Sequence, residues 1–202
     1  MRVVIIGSGQ INDYAYLKKQ IRKDDYIICA DGGYNHAKNM GIVPQLLVGD
    51  FDSIRDMPKG IKTLKFPVRK DETDSELALS LAEEQGADEI LLLGFTGDRA
   101  DHMLNNILML TRYKQAKILD DKNEIFAFLG EVSIKNRKGK TLSIIPINGD
   151  ITGITTVGLD YPLDNETLYF GKSRGISNVI VSDECIIKSN STMGIIVINN
   201  GE

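Results

Sequence analysis

The sequence is poor in the residues that build several kinds of functional site. Its 202 residues include no tryptophan, two cysteines and two histidines, so it encodes no cluster of cysteine and histidine metal ligands. The net charge of −4 argues against a nucleic-acid-binding protein, which usually carries a basic surface. No apolar run approaches the length of a membrane span, and the N-terminal apolar run is too short for a signal peptide. We therefore expect a soluble cytoplasmic protein in which Cys29 and Cys185 are buried free thiols.

The first part of the chain alternates apolar runs with helical patterns. The runs at residues 3–6, 26–30, 46–48, 90–93 and 116–119 show no polar alternation. Uninterrupted runs of this kind are typical of parallel strands that are covered on both faces. We therefore predict an α/β domain with a parallel sheet over residues 1–128.

Two helices are predicted between these strands. Each has apolar residues on one face: Leu77, Leu81 and Ala82 in the first, and Leu104, Ile107, Leu108 and Thr111 in the second. Thr73 and Glu76 have the spacing of a capping box, and Gly86 lies where the first helix would end.

The helical periodicity disappears after about residue 129. Short β-like segments separated by turn residues replace it, at 141–146, 153–157, 167–170, 178–181, 184–188 and 194–198. This spacing favours a compact antiparallel sandwich or barrel of about six strands. We predict a small antiparallel β-sandwich domain over residues 129–202.

Aspartates follow the predicted strands of the first domain or precede its helices. They occur at Asp31, at Asp50 and Asp52, at Asp71 and Asp74, and at Asp98 and Asp101. Loops at the carboxyl ends of parallel strands gather at one edge of the sheet, where these carboxylates would repel one another without a cation. Mg²⁺ carrying a nucleotide polyphosphate is the expected cation, because Mg²⁺ binds through a few carboxylates and phosphate oxygens. The pattern indicates phosphoryl-type transfer.

Single pairs within this set are ambiguous. Asp50 and Asp52 would point to the same side of an extended chain and could hold a metal, but they could equally form a turn capped by Ser53. Asp74 is favourable in a first helical turn without any function. Next to Asp71, the cations Arg69 and Lys70 could contact phosphate or be solvated surface charges.

The segment from Gly94 to His102 is more specific. Gly94 and Gly97 lie between a predicted strand and a helix, where backbone N–H groups can approach phosphate. Arg99 offers a planar guanidinium suited to phosphate oxygens. Asp101 and Asn105 are four residues apart and would share a helical face.

Three further residues or turns have open interpretations. The turn at residues 7–9 could contact phosphate or a nucleoside, although Asn12 stands where a dinucleotide fingerprint has its third glycine. His36 lies in a further predicted helix over residues 35–39 and is predicted to be a surface or packing residue. His102 could orient the neighbouring carboxylate or cap the helix.

In their order along the chain, these segments resemble the thiamine pyrophosphokinase family. The resemblance rests on the segments at 30–35, 49–53, 71–74 and 94–106, and on Arg174-Gly175-Ile176-Ser177-Asn178. It implies an α/β nucleotide domain joined to a β-sandwich, and a homodimer whose active sites use both subunits. The implied reaction moves a pyrophosphoryl group from ATP to the hydroxyethyl group of thiamine and releases AMP. The chain departs from the family in lacking the tryptophan that stacks on thiamine in some members, and in having Asp98 where a small residue is more frequent.

We assign roles to the site residues as hypotheses. Mg²⁺ would be held by Asp50, Asp52, Asp74 and Asp101, and Asp71 would accept the proton of the attacking alcohol. The residues expected to bind ATP are Asp31, Gly32, Asn35, Gly94, Gly97, Arg99, His102 and Asn105. Asp52 is also expected to bind the substrate, and from the resemblance Ser177 and Asn178 would face thiamine across the dimer interface.

Three other functions remain open from the sequence. A pyrophosphokinase acting on another alcohol, such as a hydroxymethylpterin, would retain the aspartates and change only the acceptor pocket. A metal-dependent glycosyltransferase would use Asp50 and Asp52 but leave the segment from Gly94 to His102 unexplained. A nucleotide or thiamine sensor would bind its ligand without turnover.

Overall fold

The structure is a computed structural model that describes residues 1–54, 58–67, 69, 71–190 and 192–200. The chain has a mixed α/β fold with one large sheet and a second, antiparallel sheet. It divides into two compact units, Met1–Asp121 and Lys122–Glu202. The division falls before the boundary expected after residue 128, because the strand Asn123–Phe128 pairs along its whole length with Gly194–Asn199.

The first unit alternates strands with helices. Its elements are β1 (Arg2–Ile6), α1 (Tyr14–Gln20), β2 (Tyr26–Ala30), α2 (Gly33–Met40), β3 (Leu46–Gly49), β4 (Lys62–Lys65), α3 (Asp74–Glu84), β5 (Glu89–Leu93), α4 (Ala100–Met109) and β6 (Ala116–Leu119). The strands lie in the order β6-β5-β1-β2-β3-β4, and every neighbouring pair is parallel. The five predicted strands are therefore confirmed, and α1 and β4 are additional. The loops that follow β1, β2, β3 and β5 all leave from the same edge of this sheet.

The two predicted helices differ in how well their buried faces were anticipated. Helix α3 begins as expected, with the Thr73 hydroxyl accepting a hydrogen bond from the Glu76 N–H over 3.2 Å. In α4 the predicted apolar face is wrong for this chain, because Leu104 and Leu108 are 57% and 42% exposed. The buried residue of α4 is Asn106, whose Nδ2 donates to the Phe95 carbonyl over 2.8 Å.

The second unit consists of β-strands in its described part. These are β7 (Asn123–Phe128), β8 (Glu131–Lys135), β9 (Thr141–Pro146), β10 (Ile151–Val157), β11 (Glu166–Leu168), β12 (Asn178–Val179), β13 (Glu184–Lys188) and β14 (Gly194–Asn199). They pair antiparallel in the orders β12-β9-β14-β7 and β11-β10-β13-β8. Side chains from both sets form one buried core that includes Ile144, Ile154, Cys185 and Ile196. The predicted strands are present, and β7 and β8 are additional.

The two cysteines are buried and free, as predicted. Cys29 lies in β2, where burial raises the pKa of its thiol. Cys185 lies in β13, where burial raises the thiol pKa to about 11. No helix among the described residues has the length and apolar character needed to cross a membrane.

Candidate active site

Three aspartates converge at the carboxyl ends of β2 and β3. One carboxylate oxygen from each of Asp31, Asp50 and Asp52 lies within 4.8 Å of the other two. Asp31 and Asp50 are half-buried, and Asp52 is exposed. Oδ1 of Asp31 is shielded from solvent and has no hydrogen-bond partner among the described residues. Three close carboxylates repel one another, so this acidic cluster (Asp31, Asp50 and Asp52) has the donor set and the charge that a hard divalent cation requires.

A turn, rather than an extended strand, brings Asp50 and Asp52 together. Phe51 between them has a φ of +69°, and the Asp52 N–H donates to Asp50 Oδ1 over 3.0 Å. The Ser53 hydroxyl donates to Asp52 Oδ1 over 2.8 Å. The turn interpretation is therefore correct locally, and it is compatible with metal binding because each carboxylate keeps a second oxygen free of these two bonds.

The N-terminal part of helix α2 is hydrogen-bonded to the turn that carries Asp50 and Asp52. Asn35 Nδ2 donates to the Ser53 carbonyl over 3.0 Å and so ties α2 to the turn after β3. A Cβ atom on Gly32 would lie 3.2 Å from Cβ of Ser8 and 3.4 Å from Cβ of Ser53. Among the residues expected to bind ATP, Gly32 and Asn35 therefore pack the loops against each other.

Two members of the acidic cluster line a cavity of about 280 Å³. Its lining includes Asp31, Asp50, Asp74 and His102, together with Ser8 at the end of β1. Asp74 lies in the first turn of α3, where the positive end of the helix dipole favours an anion. This acidic cavity brings together four of the residues selected from the sequence.

Two glycine-containing loops form a second, larger cavity beside it. This cavity of about 530 Å³ is lined by Gly94, Gly97, Arg99 and His102, and its other residues include Ser8, Gly9, Gln10, His36, Thr96 and Asn106. Ser8, Ser75 and His102 line both cavities. Within the first unit, the glycine-lined cavity and the acidic cavity therefore adjoin, as a phosphate chain and its metal would require.

Close backbone packing explains the glycines of the larger cavity. The Gly9 N–H donates to the Gly94 carbonyl over 2.8 Å, and the Gln10 N–H donates to the Thr96 carbonyl over the same distance. A Cβ atom on Gly9 would lie 2.3 Å from the Thr96 carbonyl oxygen, which is closer than any real side chain approaches. The loops after β1 and β5 therefore touch along their backbones, and a side chain at Gly9 would separate them.

Arg99 and Asp101 form a two-pronged ion pair at the start of α4. The Arg99 Nε donates to Asp101 Oδ1 over 3.0 Å, and Nη2 donates to Oδ2 over 2.7 Å. Both side chains are exposed. The hydrogen bonds from Arg99 lower the pKa of the Asp101 carboxyl well below its usual range. The same hydrogen bonds to Asp101 raise the pKa of the Arg99 guanidinium. Asp101 is therefore held ionised, with both oxygens directed at the guanidinium.

Several predicted site residues lie apart from these cavities. Asp71, Asp101 and Asn105 are exposed, and the described linings of the two cavities do not include them. On α4 it is Asn106, one position further along, that reaches the glycine-lined cavity. Lys70, a possible phosphate contact from the sequence, lies outside the described residues.

The second unit has a cavity of its own, of about 390 Å³. Asn178, Tyr161 and Arg174 belong to its lining. Asn178 clamps the Tyr161 backbone, since its Oδ1 accepts from the Tyr161 N–H over 3.0 Å and its Nδ2 donates to the Tyr161 carbonyl over 2.7 Å. Arg174 forms an ion pair with Glu166. Ser177, with a φ of +59°, donates its backbone N–H to Ser143 Oγ over 3.0 Å.

Some cavity residues were missed or given another role from the sequence. His36 was expected on the surface or in packing, but it lies in the wall of the glycine-lined cavity. Asp31 is expected from the sequence to bind ATP, and in the structure its carboxylate lies beside those of Asp50 and Asp52. Tyr161 lies between Asp160 and Pro162 and belongs to no motif that would have distinguished it. Ser8 belongs to the turn at residues 7–9, for which the sequence leaves a phosphate or nucleoside contact open, and it lines both cavities.

Two family models match the sequence, one over each unit. The model described as Thiamin pyrophosphokinase, catalytic domain, matches residues 17–119. The model described as Thiamin pyrophosphokinase, vitamin B1 binding domain, matches residues 131–194.

Individual relatives agree with the family models. The protein named thiamine pyrophosphokinase of Bacillus subtilis (strain 168) is 38% identical over 168 residues, covering 76% of this chain and 78% of the relative. Thiamin pyrophosphokinase 1 of Caenorhabditis elegans is 28% identical over 190 residues, covering 85% of this chain and 78% of the relative. The crystal structure of thiamine pyrophosphokinase from Bacillus subtilis matches with a TM-score of 0.90 at 28% identity and covers 100% of both chains. The similarity therefore extends over both units.

Proposed function

The chain belongs to the thiamin pyrophosphokinase family, and on this basis we propose that it transfers the pyrophosphoryl group of ATP to thiamine. The products are thiamine diphosphate and AMP. Within the structure, the observation that supports this reaction best is the adjoining pair of cavities in the first unit, one acidic and one lined by glycine loops. Such a pair suits a polyphosphate chain and its metal, and catalysis of phosphoryl transfer depends mainly on positioning and charge neutralisation.

The acidic cluster is our proposed Mg²⁺ site. Asp50 and Asp52 hold the metal together with Asp31, whose unpartnered and shielded Oδ1 fits a metal ligand better than a contact with an anionic nucleotide. Asp74 supplies a further carboxylate from α3, in the lining of the same cavity. When bound, Mg²⁺ neutralises charge on the phosphate oxygens. Asp101 joins this set only after Arg99 has released it, because both of its oxygens are held by the guanidinium.

ATP occupies the glycine-lined cavity in this proposal. The loops at Gly94 and Gly97, together with Ser8, face the phosphates, and Asn106 replaces Asn105 as the amide on α4. Arg99 holds a phosphate group with the fork that now binds Asp101. His102 lies in the lining of both cavities, which supports a contact with the polyphosphate chain.

Thiamine uses residues of the second unit. Tyr161 is 71% exposed and lines the cavity of that unit, so its ring can stack on the pyrimidine in place of the missing tryptophan. Asn178 fixes the Tyr161 backbone and retains one amide N–H for the substrate. Ser177 is the adjacent hydroxyl.

The transfer moves one proton and one pyrophosphoryl group, which contains the β- and γ-phosphorus atoms of ATP. The thiamine hydroxyl oxygen attacks the β-phosphorus, the bond from that phosphorus to the oxygen shared with the α-phosphate breaks, and AMP leaves. Asp71 is proposed to accept the hydroxyl proton. Because Asp71 is exposed while its neighbour Glu72 lines the acidic cavity, Asp71→Asn should be compared with Glu72→Gln in the same assay.

We also propose a cytoplasmic homodimer. Leu104 and Leu108 lie on the exposed face of α4, one helical turn apart, where a second subunit would bury them. Light scattering coupled to size-exclusion chromatography would give twice the mass of the chain for a dimer. A monomeric mass at micromolar concentration contradicts this part of the proposal.

The experiment that tests the function follows nucleotide products by chromatography. Purified protein is incubated with ATP, Mg²⁺ and thiamine, and with each component omitted in turn. AMP formed in equal amount to thiamine diphosphate, and only in the complete mixture, supports the proposal.

Other products would indicate the alternative functions. AMP formed with another alcohol, such as a hydroxymethylpterin, and not with thiamine would change the acceptor and retain the chemistry. A nucleoside diphosphate released from a nucleotide sugar would indicate a glycosyltransferase. Saturable binding of ATP or thiamine with no product would indicate a sensor.

A further inference from the structure

His36 lies in the wall of the glycine-lined cavity, and the proposed reaction does not use it. Its ring packs against Tyr14 of α1, with the ring centroids 5.7 Å apart and the planes tilted by 42°. The Tyr14 hydroxyl lies 2.8 Å from Nδ1 of His36. A second residue of α2, Asn39, contacts the same hydroxyl from its other side over 3.1 Å.

The donor is fixed for one of these hydrogen bonds, and the ring tautomer sets the other. Asn39 contributes Nδ2, which can only donate, so the Tyr14 oxygen accepts from it and keeps its own proton. His36 Nδ1 accepts that proton in the neutral tautomer whose ring hydrogen lies on Nε2. Burial lowers the pKa of His36 and favours the neutral ring at physiological pH. A neutral ring with an accepting Nδ1 carries its hydrogen on Nε2, which is therefore a donor.

The His36 ring lies in the same cavity wall as Ser8 and Gly9 of the first glycine loop. Interactions of the ring with the backbone of Gly9 and Ser8 act to raise the His36 pKa, against the larger effect of burial. The same loop is hydrogen-bonded to the loop after β5, through the Gly9 N–H and the Gly94 carbonyl at 2.8 Å. The turn at Ser8 and Gly9 therefore adjoins the His36 ring and is bonded to the second glycine loop.

We propose that His36 is a positioning residue that fixes the turn at Ser8 and Gly9 for the bound nucleotide, with Tyr14 and Asn39 setting the orientation of its ring. This inference rests on the proposed function, because it takes the glycine-lined cavity to be the ATP site. A residue that acts in this way changes the affinity for nucleotide. It leaves the affinity for thiamine and the chemical step nearly unchanged.

The test compares three variants with one control. His36→Leu removes both ring nitrogens, His36→Gln keeps a donor near the position of Nε2, and Tyr14→Phe removes only the hydroxyl. The control Tyr113→Phe removes a hydroxyl that makes a comparable bond, 2.9 Å from Ser80 Oγ, at a buried position outside the described cavity linings. KM for ATP, KM for thiamine and kcat are measured for each. Binding of α,β-methylene-ATP with Mg²⁺ is measured by calorimetry, so that affinity is known without turnover.

The proposal predicts a split between the parameters. His36→Leu raises KM for ATP and Kd for the analogue by about 3- to 10-fold, the equivalent of one lost hydrogen bond. Its kcat and its KM for thiamine stay within about 2-fold of wild type, as expected for lost ground-state binding. His36→Gln stays within about 2-fold of the wild-type nucleotide affinity, Tyr14→Phe shows a smaller loss than His36→Leu, and Tyr113→Phe shows none.

Two results would overturn the proposal. One is wild-type nucleotide affinity in His36→Leu. The other is a fall in kcat together with a rise in both KM values that is equally large in the leucine and glutamine variants. If His36→Leu does not fold, as judged by thermal unfolding, Tyr14→Phe against Tyr113→Phe decides in its place. A wild-type protein that binds the analogue but forms no AMP would reject the proposed reaction, while the binding comparison would still test His36.

Discussion

Asp50→Asn should separate the folding cost of the acidic cluster from its benefit for function. Asparagine has the shape of aspartate and keeps Oδ1, which accepts the Asp52 N–H in the turn after β3. The substitution therefore removes one negative charge and leaves the local hydrogen bond in place. What it changes is the repulsion among Asp31, Asp50 and Asp52.

The magnitude follows from the distances between the carboxylates. Oxygens from all three lie within 4.8 Å of one another. Coulomb's law gives roughly 1 kcal/mol for such a pair in a water-like dielectric and about 3 kcal/mol at an effective dielectric near 20. Two of the three pairs include Asp50, and the exposure of Asp52 favours the lower figure. Without metal, we expect Asp50→Asn to stabilise the protein by about 1–2 kcal/mol, which for a chain of this size raises the unfolding midpoint by roughly 2–6 °C.

The assay is thermal unfolding with and without Mg²⁺, together with turnover. Wild-type protein should gain stability as Mg²⁺ is added, because the metal binds the folded state, and Asp50→Asn should gain much less. The variant should also lose at least about 100-fold in kcat, the scale of one lost electrostatic contact in a transition state. The variant is thus more stable without metal and far less active with it.

A charge change elsewhere controls for net charge. Asp24→Asn removes the same charge in an exposed turn between α1 and β2, and we expect its stability and turnover to match wild type. The reasoning is refuted if Asp50→Asn lowers the metal-free midpoint, or if its midpoint responds to Mg²⁺ as strongly as that of wild type. Either result would mean that these carboxylates are satisfied by the fold itself.

Three further predictions test other parts of the site. Arg99 lowers the pKa of Asp101, so the stability that the ion pair contributes is fully present above the ordinary carboxyl pKa of 3.8 and is lost as the pH falls through the lower pKa of the folded protein. Arg99→Gln should return the Asp101 pKa toward 3.8 in a carboxyl NMR titration, and an unchanged low pKa would contradict this. Thr73→Ala removes the cap of α3 and should cost about 1 kcal/mol in denaturant unfolding, with Thr73→Ser close to wild type, whereas equal losses in both would exclude the cap as the cause. Tyr161→Ala should raise KM for thiamine by about 5-fold or more and leave KM for ATP unchanged, whereas both KM values of Tyr161→Phe should stay near wild type. A change in KM for ATP alone would show that Tyr161 does not belong to the thiamine site.

The strands of the first unit could be predicted because their signal is local. Runs such as residues 3–6 and 90–93 are buried along their whole length, and nothing but apolar residues can occupy such positions. The strand β4, Lys62–Lys65, was missed because it is an edge strand whose lysines face solvent. The sequence resembles a loop there, and only pairing with β3 makes it a strand.

The face of α4 could not be predicted, because periodicity does not say what lies against a helix. Leu104 and Leu108 form the more apolar side, yet the side that packs within the chain carries Asn106. The Asn106 amide satisfies the Phe95 carbonyl in the loop after β5, where an apolar residue would leave that carbonyl unpaired. An apolar stripe on a helix therefore does not show by itself which face of the helix packs against the rest of the chain.

The same limit explains why the chemistry of the site was easier to predict than the grouping of its carboxylates. Asp101 finds its partner two residues away in Arg99, whereas Asp31 meets Asp50 only through the parallel pairing of Ala30 with Val48. That approach also requires Gly49, since a Cβ atom there would lie 3.1 Å from Cβ of Asp31. The register of parallel strands is set by contacts between residues that are far apart in sequence. A local sequence pattern therefore does not predict which residues at the ends of two neighbouring strands will lie side by side. The residue types thus predict a site for a metal and a phosphate chain, but the pairing of the strands in the sheet determines which aspartates lie together.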